Sequence, residues 1–404
     1  MKLTRLAPVA IALVLAPAVF GQDDQPIPVT PNTPLRIIHA SPSMFHHDMA
    51  VAPAATLTIP NFKYSVVSPI DGNTYAGQIV GADPSARPAH PVIVPTAIVP
   101  VKLVFKFNST SSFIFDPMAG DVGCIGSGHT ALGLTEQSPL FNDRSYTFGG
   151  TAVGNTQFLD AFQRANFWSK VSAAGGANVH TLMGITPMPE QTVTVPSSNS
   201  GTTSGAVFSF TGQCGTNTGN TNGPGLLGVM DINFWDTHAR TIMTNLGISP
   251  NTFVLFLFYN SVMASGPPTT NLSNCCILGY HNIVGSQTYG NSVFEGRNQT
   301  LFTGVADTSI LTHELGEWMN DPTVVNPTPA WGHIGQVSGC QGNYEVGDPL
   351  SGTLMPTVTM NGFTYHQQEL AFFDWFYRNS PSNGVNGWYS SNGTFTTDAG
   401  AVCH

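Results

Sequence analysis

The chain has 404 residues, which is enough for one large domain or two ordinary ones. Only 9% of its residues are charged, against about a quarter in an ordinary globular protein, and the formal net charge is -10. The 13 lysines and arginines are scattered singly. No basic patch is therefore available for phosphate backbones, and we expect no nucleic-acid partner.

Residues 1–21 have the organisation of a secretory signal peptide. Lys2 and Arg5 precede an apolar run from Leu6 to Leu15, and small residues follow up to Gly21. Such a segment is removed on export and is too short to anchor a chain in a membrane. No later stretch reaches the roughly 18 apolar residues that a membrane span needs. We therefore expect a secreted or periplasmic protein without a membrane span.

Cysteine usage agrees with export. An even number of cysteines, six, follows the signal peptide, and this favours disulfides. We expect the adjacent Cys275 and Cys276 to bond to different partners, and Cys403 to fasten the C-terminus.

The first half of the mature chain divides into a tail and a β-rich region. Residues 22–55 are rich in Pro and Ala, which predicts a flexible tail or linker and leaves an inhibitory pro-segment open. Residues 56–215 are predicted to be β-rich with one helix, at Thr156 to Ser172. Apolar residues alternate within Val92 to Phe107, which predicts a strand of an antiparallel sheet.

Residues 216–404 show longer and more regular elements. Apolar spacing predicts a helix from Leu227 to Leu246 with a stop at Gly247. A buried strand is predicted at Asn251 to Met263. Two strands at Cys276 to Ile283 and Ser286 to Glu295 precede a helix between Thr308 and Pro322.

That last helix carries His-Glu-x-x-Glu, formed by His313, Glu314 and Glu317. Residues four apart lie on nearly the same helix face, so His313 and Glu317 are predicted to bind one metal ion. Glu314 lies about 100° round the helix, where it can reach a water on that ion and act as the general base. The alternative is an amphipathic helix whose polar face is solvated.

The order of helix, buried strand, further strands and a helix with His-Glu resembles the catalytic core of zincin metallopeptidases. The resemblance implies an α+β protein, in which the β-rich N-terminal region is followed by a zincin-like helix–strand–helix core within residues 216–404. The N-terminal region would be an accessory domain or part of one continuous fold. On this analogy Gln287 to Phe294 is a sheet edge, to which an extended peptide substrate adds as a strand.

A catalytic zinc ion needs a third protein ligand. Zincins that use a glutamate ligand take it from a carboxylate further along the chain, which indicates Glu345. His333, Asp348 and His366 are the alternatives. Because Glu317 stands where a zincin has its second histidine, Zn²⁺ is expected but another divalent metal is open.

A narrower resemblance rests on His313 to Glu317, Asp321-Pro322 and Glu345-Val346-Gly347-Asp348. This combination is similar to a group of secreted bacterial proteins and, loosely, to plant phosphate-induced, EXORDIUM-like proteins. The resemblance implies site roles for Glu345 and Asp348. It does not imply a substrate, because a shared framework does not fix activity.

The sequence thus predicts a secreted zinc-dependent peptidase or amide hydrolase that acts on a protein or peptide. His313, Glu317 and Glu345 would bind the metal, and Glu314 would be the general base. The alternative is a non-catalytic secreted module with a zincin-like frame, binding a surface or carbohydrate partner.

Overall fold

The computed structural model describes residues 25–29, 35–41, 44–45, 56–109, 111–173, 175, 178–200, 203–214, 225–334, 339–353 and 355–399. The predicted signal peptide and Cys403 lie outside these residues. The strands are β1 Ile27–Val29, β2 Asn61–Val67, β3 Thr74–Val80, β4 Val92–Lys106, β5 Ser112–Phe115, β6 Arg144–Phe148, β7 Thr151–Thr156, β8 Thr181–Pro187, β9 Gln191–Pro196, β10 Gly205–Phe210, β11 Gly225–Asp231, β12 Phe253–Tyr259, β13 Ser261–Ala264, β14 Cys275–Ile277, β15 Gly279–Val284, β16 Gln287–Phe294, β17 Pro327–Gly332, β18 Cys340–Asn343, β19 Thr357–Met360 and β20 Phe363–His366. The α-helices are α1 Ala131–Glu136, α2 Phe158–Asn166, α3 Trp168–Ala173, α4 Ile232–Leu246, α5 Ser309–Asn320 and α6 Phe373–Tyr377.

The described part of the chain is rich in strands, which form two large sheets and four separate hairpins. Its helices are few and mostly short. The prediction of a zincin-like helix–strand–helix core is therefore wrong. Strands far apart in the sequence build the large sheets instead, and both of these sheets contain strands from either side of residue 215.

The larger sheet contains seven strands, in the order β15-β16-β12-β4-β5, with β8 and β9 also paired to β4. β4 runs parallel to β12, β8 and β9, and only β5 pairs with it antiparallel. The expected antiparallel sheet is wrong for β4, since alternation along a strand does not fix the direction of its neighbours. β16 lies between β15 and β12, so the predicted sheet edge at Gln287–Phe294 is also wrong.

β12 is buried on both faces and separates two hydrophobic cores. Leu255 and Leu257 face one core, which includes Trp318 of α5. Phe256 and Phe258 face the other, which includes Trp235 of α4. Burial on both faces explains why this strand is a continuous apolar run.

The predicted strand at Asn251 to Met263 is two strands. At Asn260 the backbone has a φ of 47°, which ends β12, and β13 follows directly. β12 lies in the seven-stranded sheet, whereas β13 lies in the five-stranded sheet, whose order is β1-β10-β11-β13-β14. A polar residue that tolerates positive φ therefore divides one apolar run between two sheets.

α5 follows its prediction closely, and the C-cap residue Asp321 precedes Pro322. α4 ends as predicted at Gly247, which has a φ of 60°. It begins later than predicted, because residues 227–231 belong to β11. The side chain of Asp231 caps α4 by accepting a hydrogen bond from the backbone of Asn233 at 2.9 Å.

Described parts of the predicted tail pack against the rest of the protein. β1 runs parallel to β10. Further along, the Ile38 amide donates to the carbonyl of Cys276 at 2.8 Å, and the Cys276 amide donates to the carbonyl of Arg36 at 3.0 Å. Residues 36–38 therefore lie alongside Cys276, although they belong to none of the named strands.

Two disulfides lie among the described residues, Cys124–Cys214 and Cys275–Cys276. The prediction that Cys275 and Cys276 bond to different partners is wrong. Cys340 is exposed and forms no disulfide with another described cysteine. None of the described helices is both long enough and apolar enough to cross a membrane.

Candidate metal centre

The polar face of α5 is buried. His313, Glu314 and Glu317 are only 5%, 6% and 5% exposed, so a solvated polar face is not what this helix presents. The three side chains line a cavity of about 70 Å³, which residues 37–41 also line. Burying three ionisable groups side by side is costly unless they are paired or bind a metal.

One set of ligand atoms converges at His313. Its Nε2 lies 3.1 Å from Oε2 of Glu317 and 3.3 Å from Oδ1 of Asp348. The ligand atoms of these three residues all lie within 4.8 Å of one another, close enough to hold one metal ion. We call these residues the His313 group.

The other nitrogen of His313 is held by protein. Nδ1 lies 3.0 Å from Oε1 of Gln368, whose Nε2 donates to the Gly347 carbonyl at 2.5 Å. A metal-binding histidine typically donates its second N–H to a protein oxygen, which fixes the tautomer and leaves the first nitrogen free for the ion.

Glu317 is oriented by backbone. Its Oε1 accepts hydrogen bonds from the amides of Gly347 and Asp348 at 3.2 and 3.1 Å. The helix and the Gly347-Asp348 turn are thereby joined, and Oε2 is the oxygen that faces His313.

Glu314 faces β15. A Cβ placed on Gly279 would lie 2.6 Å from Cγ and 2.6 Å from Oε1 of Glu314, so the absence of a side chain there makes room for this carboxylate. Oε2 of Glu314 lies 4.0 Å from Nδ1 of His281. His281, Glu314 and Glu317 form a second set of ligand atoms within 4.8 Å, which we call the His281 group.

Glu345, the predicted third ligand, lines the same cavity but belongs to neither group. Its Oε1 accepts a hydrogen bond from Asn343 at 2.6 Å. Its Oε2 lies 3.8 Å from Nε2 of His281. The structure brings Asp348, one of the alternatives, to His313, whereas His366 lies 2.5 Å from Asp307 at the start of α5.

His39 lines the same cavity, and the ring of His333 lies 5.7 Å from that of His39. Nδ1 of His39 contacts Oδ1 of Asp348, and the rings of His39 and His313 lie 5.6 Å apart. A third set of close ligand atoms belongs to His39, His333 and Asp348. His39 could not be predicted as a ligand from the sequence, because it lies in a Pro- and Ala-rich stretch with no metal-ligand spacing.

Asp321 contributes to the site through both its side chain and its backbone carbonyl. Its Oδ1 accepts hydrogen bonds from the backbone amides of Val325 and Asn326, both at 2.9 Å, and these bonds close the turn after α5. Its backbone carbonyl lies 3.0 Å from Nε2 of His281 and so orients that imidazole.

The proton affinities of these groups reflect burial and crowding. Burial, reinforced by neighbouring carboxylates, raises the pKa of Glu314, Glu317 and Glu345 above the ordinary value, and burial raises the pKa of Asp321 to about 8. Burial lowers the pKa of His281 to about 4. The raised pKa values are those of carboxyl groups buried side by side, whereas the lowered pKa of His281 follows from burial of its charged form.

His313 and Asp348 shift in the opposite sense, because they face each other. Burial lowers the pKa of His313, but the charge of Glu317 and hydrogen bonds to Asp348 and Glu317 raise it well above its usual value. Burial raises the pKa of Asp348, but His39 and His313 bring it below its ordinary value. A proton on His313 thus sits where a metal ion would bind.

Comparisons with known proteins give no relative: no family model, no curated protein and no solved structure matches the chain.

Proposed function

We propose that this protein is a metal-dependent hydrolase that cleaves amide bonds of a protein or peptide. The observation that carries the proposal is the His313 group, three buried ligand atoms within 4.8 Å, with Glu314 lining the same cavity. Three protein ligands and one open position are the usual arrangement of a catalytic zinc ion. Zn²⁺ is the proposed metal, although two carboxylates also suit Mn²⁺.

The ion would supply a Lewis acid that lowers the pKa of water toward about 7. His313 binds through Nε2 because Gln368 holds Nδ1. Glu317 and Asp348 provide the negative charge that keeps a divalent cation in the pocket. Glu314 accepts the proton of the attacking water and can pass it to the leaving amine.

Glu314 must be ionised to act as a base. Burial raises its pKa well above the ordinary value of 4.5 while the pocket lacks a cation. A divalent cation beside a carboxylate favours the charged form and lowers its pKa. Metal binding would therefore also favour the ionised form of Glu314, which is the form that acts as a base.

The variant E314Q tests this function. It should bind one equivalent of metal at the His313 group as the wild-type protein does, because Glu314 lies outside that group. It should hydrolyse an unfolded protein substrate about 100- to 10 000-fold more slowly, which is the usual contribution of a general base. E136Q is the matched control, since Glu136 does not line the cavity.

Metal analysis and casein cleavage are the two measurements. Wild-type protein that contains no stoichiometric metal contradicts the proposal, and so does E314Q that cleaves at the wild-type rate. H313A should lose the metal, because it removes the imidazole ligand of the His313 group.

One observation favours a second candidate, a non-catalytic module with a structural metal. Nδ1 of His39 contacts Asp348, so His39 can supply a fourth protein ligand beside the His313 group. Four protein ligands close a zinc site to water. X-ray absorption spectroscopy of bound Zn²⁺ separates the two: the catalytic site has one histidine ligand, and the closed structural site has two.

A further inference from the structure

The cavity contains more negative charge than one metal ion can balance. Four carboxylates line it: Glu314, Glu317, Glu345 and Asp348. Each is at most 7% exposed, and no lysine or arginine is among the described residues that line this cavity. Two divalent cations would neutralise all four carboxylates in their ionised forms, whereas with one cation two of them must be protonated or remain without a counter-charge.

His281 has the orientation of a metal ligand. Its Nε2 lies 3.0 Å from the carbonyl of Asp321, so this nitrogen carries a proton and donates it to the backbone. Nδ1 is then the acceptor, and it lies 4.0 Å from Oε2 of Glu314. That distance is too long for a hydrogen bond. It suits two ligands of one ion, since bonds of about 2.0–2.2 Å place ligand atoms up to about 4 Å apart.

Glu345 provides an independent sign of a missing cation. The residue is 7% exposed, and its Oε2 forms no hydrogen bond with any described residue. Oε1 is fixed by Asn343, so the carboxylate cannot turn freely to satisfy Oε2. A buried carboxylate oxygen without a donor costs free energy that a nearby cation would offset.

Glu317 connects the two sets of ligand atoms. It belongs both to the His313 group and to the His281 group. Backbone amides of Gly347 and Asp348 hold its position from the side of Oε1. A carboxylate shared between two adjacent ions is the arrangement of two-metal hydrolytic sites, whose ions lie about 3.5–4 Å apart.

We propose that the cavity binds a second divalent cation, held by His281 and Glu314, with Glu317 shared between the two ions and Glu345 balancing their charge. This inference rests on the proposed metal function of the His313 group. It also assigns Glu314 two roles, a base when one ion is bound and a ligand when both are. Excess metal should therefore slow hydrolysis by occupying the base.

The experiment is a titration of metal-free full-length protein with Mn²⁺ alone, followed by metal analysis after removal of free ions. The wild-type protein should bind two ions per chain and H281Q only one. H90Q is the matched control, because His90 is exposed and does not line the cavity, and it should bind two. Electron paramagnetic resonance of the doubly loaded wild-type protein should show spin coupling between adjacent Mn²⁺ ions.

The outcomes separate this inference from the function on which it rests. One ion per chain in both the wild-type protein and H281Q overturns the second site and leaves the proposed function intact. No bound ion in the wild-type protein overturns both. Should H281Q fail to fold, the wild-type stoichiometry and spin coupling still decide, because neither needs the variant.

Discussion

The orientation of His313 depends on two neighbours that contact its ring away from Glu317. Gln368 accepts from Nδ1 at 3.0 Å, and the backbone of Gly347 lies so close that a Cβ there would be 2.5 Å from Nδ1. Any side chain at Gly347 would displace the ring. The residue therefore serves close packing here, not an unusual backbone conformation.

Replacing Gln368 by leucine should weaken metal binding by about 10- to 100-fold, the usual effect of losing the partner of a metal-binding histidine. Leucine has a similar volume but cannot accept the N–H of Nδ1. Isothermal titration with Zn²⁺ measures the change. Q137L is the control, since Gln137 is exposed, and equal affinities for Q368L and the wild-type protein would refute the role of Gln368.

For individual site residues, the sequence predicts only those contacts that follow from the spacing of residues within one helix. His313 and Glu317 could be predicted to meet because they are four residues apart on a helix. His281 and His39 could not, because both reach the cavity through tertiary contacts: β15 packs against α5, and residues 36–38 lie beside Cys276. Asp348 and Glu345 are three residues apart, and only the turn at Gly347 decides which of them meets His313.

Helix α5 begins at an ion pair that its sequence does not suggest. Nδ1 of His366, on β20, lies 2.5 Å from Oδ2 of Asp307. Oδ1 of Asp307 also accepts hydrogen bonds from the backbone amides of Thr308 at 2.6 Å and His366 at 2.7 Å. Asp307 therefore joins the start of the metal-binding helix to the β19–β20 hairpin.

This pair should make stability depend on pH. The hydrogen bond to Asp307 raises the pKa of His366 above its ordinary value of 6.5, so the folded state holds this proton more tightly than the unfolded state. The contribution is fully present below about pH 6.5 and is lost as the pH rises through the folded-state pKa. Partial exposure limits it to about 1 kcal/mol.

Thermal unfolding of H366N and the wild-type protein at several pH values measures this contribution. Near pH 5.5 the wild-type protein should unfold at a higher temperature than H366N. This difference in unfolding temperature should be smaller near pH 9. H129N is a matched control, because the imidazole of His129 packs against the ring of Phe363. A difference that grows with pH would contradict the assignment.

Element boundaries were predicted well where a local signal ends them and poorly elsewhere. Gly247 and Pro322 ended their helices as expected. The start of α4 was predicted too early, because Leu227 and Val229 fit a helical stripe as well as the alternation of β11. Asp231, a good N-cap residue, was the signal that marks the true start.

Across the whole molecule, the disulfide Cys124–Cys214 joins residues 90 positions apart. Closing a loop of that length restricts the unfolded chain, with a typical stabilisation of about 2–4 kcal/mol. The double variant C124S/C214S should therefore unfold at a clearly lower temperature or urea concentration. C340S should change little, because Cys340 is exposed, and equal losses in both would contradict this expectation.

The overall architecture was the least predictable property. The sequence predicts that residues 56–215 are rich in strands, but not which of these strands pair. β4 alone pairs with β12, β8, β9 and β5. Such pairings depend on which apolar faces pack together in the folded protein. A single sequence indicates that a strand has an apolar face, but not which strand it packs beside.

The kink at Asn260 has a consequence for which changes in length the chain tolerates. One covalent backbone passes from the centre of the seven-stranded sheet into the five-stranded sheet within residues 253–264. A strand that slips by one residue turns every side chain to the opposite face. An insertion or deletion here would exchange Leu255 and Phe256 between the two cores and misalign both sheets together. This stretch can vary in residue type, but it cannot gain or lose a residue.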